Sequence, residues 1–134
     1  MKKIKVYVAS PYFSNDEKNR LDLLRYLWKQ KEEYDFYFPF DHKVKNAWDY
    51  TEEKWAKKVF KMDIKAIKKC DEVWVVNYGL YSDSGTAWEA GYAYGLGKKI
   101  KTLLIEEKNR PSTYSLMMIN SSTEIVCPFK YKQK

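Results

Sequence analysis

Glu72-Val73-Trp74-Val75-Val76-Asn77 is the stretch whose reading decides the fold. Its centre is apolar and mostly β-branched, without the polar alternation of a sheet that faces water on one side. Such a run marks a strand covered on both faces, as in a parallel sheet lying between helix layers. After the polar turn Tyr78–Gly85, residues 86–96 (TAWEAGYAYGL) read as a helix stopped at Gly97. Residues 100–105 (IKTLLI) form the next strand. A buried strand, a helix and a second buried strand in this order define a parallel crossover.

The same alternation continues in both directions. Upstream, residues 3–9, with Val6, Tyr7, Val8 and Ala9, form a first strand. Ser14-Asn15-Asp16-Glu17 has the form of a capping box and opens a helix running to about residue 32. Leu21, Leu24, Leu27 and Trp28 are its expected buried stripe, with Tyr26 less well placed. Tyr34–Phe40 is a second strand, ended by Pro39, and Asp41–Tyr50 is an irregular loop holding the one histidine, His42. Thr51-Glu52-Glu53 opens a second helix with Trp55, Val59, Phe60, Ile64 and Ile67 at spacings of three and four. A short helix around residues 112–119 and a strand near Glu124–Val126 complete the chain. The expected fold is α/β: a flavodoxin-like three-layer α/β/α arrangement on a five-stranded parallel sheet in the order 2-1-3-4-5. Its ligand crevice lies where strands one and three diverge, which sets the loops after Ala9 and Asn77 side by side.

Composition fits one domain over residues 1–134. Hydrophobic residues at 45% and aromatics at 17% exclude a disordered tail, despite 32% charge. No apolar run approaches the ~20 residues that span a bilayer. The opening, MKKIKVYVAS, reads as a strand rather than a signal peptide, so a cytoplasmic location and no membrane partner are expected. Cys70 and Cys127 make neither a disulfide framework nor a metal-binding spacing, and no metal is expected. The net charge of +7 rests on dispersed lysines, among them Lys29, Lys31, Lys57, Lys58, Lys68, Lys69, Lys98 and Lys99. No nucleic-acid motif organises them, so a solvated surface is expected rather than a polymer partner; attraction of small anions stays open.

Three polar groups stand where core is expected. Asp63 falls in line with Trp55, Val59 and Ile67, where a carboxylate is costly unless paired or functional; the plainer reading puts it at the wet margin of the stripe. Glu89 is the one charge on the helix of residues 86–96. It either serves the helix dipole or belongs to a site, with Asp83 just before the helix as a cap or second acid. Tyr7 lies within the first strand, and its hydroxyl needs a partner if buried; the topology offers Glu89, while simple core packing is the alternative. His42 reads as a surface-loop histidine. Trp48, Trp55 and Trp88 read as core or site walls. Ser10-Pro11 and the Ser82–Gly85 stretch are candidate anion nests that fit neither a P-loop nor a dinucleotide fingerprint. Paired carboxylates around a concavity suit chemistry on a glycosidic bond.

These residues recur together in a known pattern. Tyr7 in KVYVASPYF, Asp63 in VFKMDIKAIKKCD, and DSGTAWEAGYAYGLGKK resemble the nucleoside 2-deoxyribosyltransferase family from the first strand to about Met118. The resemblance implies transfer of 2-deoxyribose between nucleobases with no metal or organic cofactor. By the same resemblance Glu89 is the nucleophile, Tyr7 orients it, and Asp63 and Asp83 contact the base and assist its protonation. Phe13 would pack on the base, with Ser10 and Gly85 beside the substrate. Where the family commonly has Asn-Leu-Met reaching a neighbouring subunit's site, this chain has Ser115-Leu116-Met117. That serine resembles the related 2′-deoxynucleoside 5′-monophosphate N-glycosidases. Those enzymes, however, usually carry Ser where this chain has Asp83 and Arg where it has Phe13. The implied partners are small nucleosides and nucleobases, or deoxynucleotides, bound by a homo-oligomer with sites shared between subunits.

Overall fold

Side chains alternate up and down along a strand, so a strand buried throughout must feed two cores. In the computed structural model, which describes residues 2–78, 83–105 and 115–126, the strand beginning at Glu72 does so. Trp74 and Val76 join Val6, Val8, Leu21, Leu24, Trp28, Leu103 and Ile105 on one face. Val73 and Val75 join Tyr7, Ala9, Ile67, Ala90, Ala93, Ile100 and Met118 on the other. The elements are β1 (Ile4–Ala9), α1 (Asn15–Trp28), β2 (Tyr34–Tyr37), α2 (Glu52–Lys69), β3 (Glu72–Tyr78), α3 (Ser84–Gly95), β4 (Lys99–Ile105), α4 (Leu116–Asn120) and β5 (Glu124–Val126). All neighbouring pairs are parallel and the order is β2-β1-β3-β4-β5, as the alternation predicts. The first core lies against α1, the second against α2 and α3. Among the described residues no helix is long and apolar enough to cross a membrane.

Local chemistry sets the boundaries. The capping box at α1 is complete: Ser14 Oγ accepts from the Glu17 amide at 3.2 Å, and Glu17 Oε1 accepts from the Ser14 amide at 2.8 Å. That helix ends at Trp28, shorter than the apolar periodicity implied, and Tyr26 and Leu27 are exposed. β2 stops at Tyr37 rather than Phe40, because Pro39 starts a 3-10 turn over Pro39–Asp41. The loop that follows contains a second such turn at Ala47–Asp49.

The largest departure from the sequence reading concerns burial. Of the α2 stripe only Ile67 is fully buried, while Trp55 and Phe60 are exposed. Helix α3, whose residues 86–96 are apolar nearly all round and so imply a well-buried helix, buries Thr86, Ala90 and Ala93 but leaves Trp88 and Tyr94 48% and 60% exposed. Trp48, Trp55 and Trp88 are therefore not core residues. Residues 79–82, residues 112–114 of the expected short helix, Cys127 and the Lys-rich tail lie outside the described residues.

Candidate functional site

The parallel register sets Tyr7 of β1 opposite Tyr37 of β2 and Val73 of β3. Tyr7 is fully buried with its ring in the second core, so its hydroxyl must find a partner there. It donates to Glu89 Oε2. Glu89 lies in the second turn of α3, on the helix face that packs over β1 and β3. Sequence places a lone charge in this apolar helix, and the sheet order carries it to the phenol.

Asp83 is the N-cap of α3, and its Oδ2 accepts from the Thr86 amide at 2.9 Å and from Thr86 Oγ1 at 3.2 Å. The helix thus begins at Ser84, two residues before the apolar run that marks it in sequence. Gly85 fits this cap, since a Cβ there would meet Asp83 Oδ2 at 3.2 Å. Asp63 sits half-buried on α2, and its charge is felt at Glu89, Tyr7 and Tyr37. Three carboxylates and a phenol therefore share one field beside the carboxyl ends of β1 and β3.

That field sets their protonation. Burial pushes the Glu89 carboxyl up to about 7; the Tyr7 hydroxyl opposes the rise, and the charges of Asp63 and Asp83 add to it. Burial likewise raises Asp63, with His42 pulling it back down. Burial and the Glu89 charge keep Tyr7 protonated far beyond its ordinary range. Near neutral pH Glu89 passes between a carboxylate that can attack an electrophilic carbon and an acid that cannot. Neighbouring carboxyls with different surroundings are how one site supplies both a nucleophile and a proton donor.

The remaining residues singled out in sequence fall in two groups. Ser10 closes β1, with its Oγ donating to the Pro11 carbonyl at 2.9 Å. Phe13 follows, 77% exposed, held by its amide on Glu17 Oε1 at 3.0 Å. Ser115 and Met117 belong to the start of α4. Ser115 caps α4 through the Met118 amide, and with Met117 it lines a cavity of about 500 Å³ beside Ala87, Gly91 and Tyr94 of α3. None of Tyr7, Asp63, Asp83 or Glu89 lines that cavity.

Two residues that sequence reasoning missed belong beside the site. The Tyr37 ring stacks on Tyr7 at 5.6 Å, and the His42 ring stacks on Tyr37 at 4.1 Å, only 4° from parallel. His42 also faces Asp63 closely enough to lower its carboxyl. The signal for Tyr37 was available in the pairing of β1 with β2; nothing in the loop sequence marks His42. Among the described residues no group of three or more His, Cys, Asp or Glu is placed to hold a metal ion.

A parallel α/β sheet carrying a phenol-held glutamate and two aspartates at its switch point has the make-up of an enzyme acting on glycosidic bonds through carboxylates. More narrowly, the chain belongs to the nucleoside 2-deoxyribosyltransferase family, whose model matches residues 6–124. Among solved structures it is similar to the 2-deoxyribosyltransferase of the psychrotolerant bacterium Bacillus psychrosaccharolyticus (25% identity, TM-score 0.77, covering 94% of this chain and 85% of that one). It is similar to the 2-desoxiribosyltransferase of Leishmania mexicana as well (28% identity, TM-score 0.56, covering 75% and 64%). A third similar structure is the CMP N-glycosidase of Clostridium botulinum (26% identity, TM-score 0.51, covering 75% and 71%). No curated protein matches the chain by sequence.

Proposed function

We propose that this protein transfers 2-deoxyribose between nucleobases through an ester joining C1′ of the sugar to Glu89. In the first step a Glu89 carboxylate oxygen bonds to C1′ as the N-glycosidic bond breaks, and the departing base takes a proton delivered from Asp83 or Asp63. In the second, a nitrogen of an incoming base bonds to C1′, the ester bond breaks, and the base's proton returns to the acid. Tyr7 holds the carboxylate in line with C1′. Phe13, Ser10 and Gly85 line the substrate on the β1 and α3 side. The observation that carries this reading is the hydrogen bond from buried Tyr7 to Glu89, on a carboxyl poised at about 7 between its nucleophilic and neutral forms.

A second reading is hydrolysis, with water taking the place of the incoming base and a deoxynucleotide as substrate. It is favoured by Ser115, whose hydroxyl suits a phosphate, and by the likeness to a CMP N-glycosidase. Incubation with deoxyinosine and adenine yields deoxyadenosine if the protein is a transferase. Free deoxyribose 5-phosphate from a deoxynucleoside monophosphate alone marks the hydrolase. Ser115→Asn is expected to raise kcat/KM for nucleosides relative to nucleotides, and an unmoved ratio removes Ser115 from substrate choice.

Ser115 and Met117, which line a cavity that none of Tyr7, Asp63, Asp83 and Glu89 lines, would serve a second copy's site in a homo-oligomer. The exposed rings of Phe60 and Trp88, 5.4 Å apart across α2 and α3, together with Met117 at 81% exposure, supply apolar surface for that contact. Sedimentation velocity reads it directly: a monomer at micromolar concentration refutes the shared site. In this reading the protein is a cytoplasmic enzyme of nucleoside salvage.

A further inference from the structure

A second concavity lies on the outer side of α2, under the loop that joins β2 to that helix. It encloses about 490 Å³, and its wall carries Lys43 and Lys45 from the loop and Lys58 and Lys61 from the helix, with Tyr50 and Met62 between them. Among the described residues no carboxylate lines it. The ion pairs among the described residues are Arg25–Asp41, Lys57–Glu53 and Lys101–Glu124, so none of these four lysines forms an ion pair with a described acid. Lys58 and Lys61 occupy adjacent positions on one helix face, where like charges repel and weaken the helix.

The wall is also shaped. Asn46, at φ 55° and ψ 44°, turns the loop through the left-handed region between Lys45 and the 3-10 turn at Ala47–Asp49. That turn sets down Tyr50 immediately before the Thr51 cap of α2. Lys58 Nζ rests 4.7 Å from the centre of the Tyr50 ring, which holds one ammonium group at the wall. These four lysines stand on two segments that together wall one hollow of small-molecule size.

We propose that this pocket binds a small oligophosphate, a ligand bearing two or three linked phosphates, through Lys43, Lys45, Lys58 and Lys61. Ammonium groups bind phosphate oxygens as point charges through charge-assisted hydrogen bonds, and a linked row of phosphates can reach all four at once where a single phosphate cannot. A hollow rather than an extended stripe favours a compact anion over a nucleic-acid strand. The inference does not rest on the enzymatic reading, because binding is measured without any nucleoside.

The test is isothermal titration of the full chain with inorganic tripolyphosphate, with orthophosphate, and with a short single-stranded oligonucleotide, at low and at physiological salt. One tripolyphosphate should bind per chain, more tightly than orthophosphate. The Lys45→Gln/Lys58→Gln pair should weaken it by about tenfold or more, whereas Lys58→Arg, which keeps the charge with Lys45 intact, should retain most of the affinity. A control pair, Lys29→Gln/Lys31→Gln, removes the same charge elsewhere and should leave binding within about twofold. Melting curves confirm that each variant is folded. Equal weakening by both pairs would reduce the effect to net surface charge and overturn the proposal. No saturable binding would overturn it as well, and tighter binding of the oligonucleotide through these lysines would replace the small anion with a polymer.

Discussion

Glu89→Gln should cost the protein its activity and make it more stable, by an amount that grows as pH rises from about 4.5 and is complete above about 7. An unperturbed glutamate titrates near 4.5, whereas Glu89 in the folded protein titrates at about 7. Below 4.5 both the folded and the unfolded chain carry the proton, and the carboxyl imposes no penalty. As pH rises the unfolded chain releases its proton first, so the wild-type fold loses stability through the interval and bears the whole cost above about 7. The gap of 7 minus 4.5 corresponds to about 3 kcal/mol. Glutamine is neutral throughout and its carbonyl can still accept from Tyr7. Urea unfolding of both proteins at pH 5 and pH 8 measures the difference. The variant should gain about 2 to 3 kcal/mol on the wild type between the two pH values, the lower figure allowing for water in the cleft. A difference that is the same at both pH values would refute the claim that burial of this carboxyl sets its protonation.

Other groups yield sharper kinetic tests. Tyr7→Phe removes the bond that holds Glu89 down, so the ascending limb of kcat/KM against pH should move to higher pH and the rate at pH 7 should fall about tenfold; an unmoved limb contradicts the assigned contact. Asp83→Asn keeps a side-chain oxygen for the Thr86 amide, so α3 should stay capped while departure of a purine slows. An unchanged rate would make Asp83 a cap only. His42→Ala should cost about 0.5 to 1.5 kcal/mol through the lost stack on Tyr37, and by removing the charge that lowers Asp63 it should raise the Asp63 titration seen by NMR. A fixed Asp63 titration would show that His42 exerts no field there.

The sheet and its order were legible because their signals are local or topological. The unbroken run Val73–Val76 requires two covering layers, and the strand–helix alternation leaves few ways to arrange five strands. Tyr7 and Glu89 stood out for the same reason, each polar in a segment that is otherwise apolar, and the strand order alone brought them together. Apolar periodicity misled where it could not tell core from exposed face. Phe60, Trp88 and Tyr94 obey helical spacing, yet α2 and α3 turn them away from the sheet. β2 ended early because the backbone rule at Pro39 outweighed the aromatic run around it. His42 reads correctly as an exposed loop histidine, but its contacts were not legible, because Tyr37 and Asp63 come from a strand and a helix that only the tertiary fold sets beside the loop.

The account stands on Glu89 as the atom donor to C1′. Intact-mass spectrometry of the protein quenched in acid during turnover with a deoxynucleoside, followed by peptide mapping, addresses that directly. A mass increase of one deoxyribosyl group, located on Glu89 and absent in Glu89→Gln, is the predicted result. Base exchange by Glu89→Gln at the wild-type rate, or an adduct mapped to another residue, would contradict it.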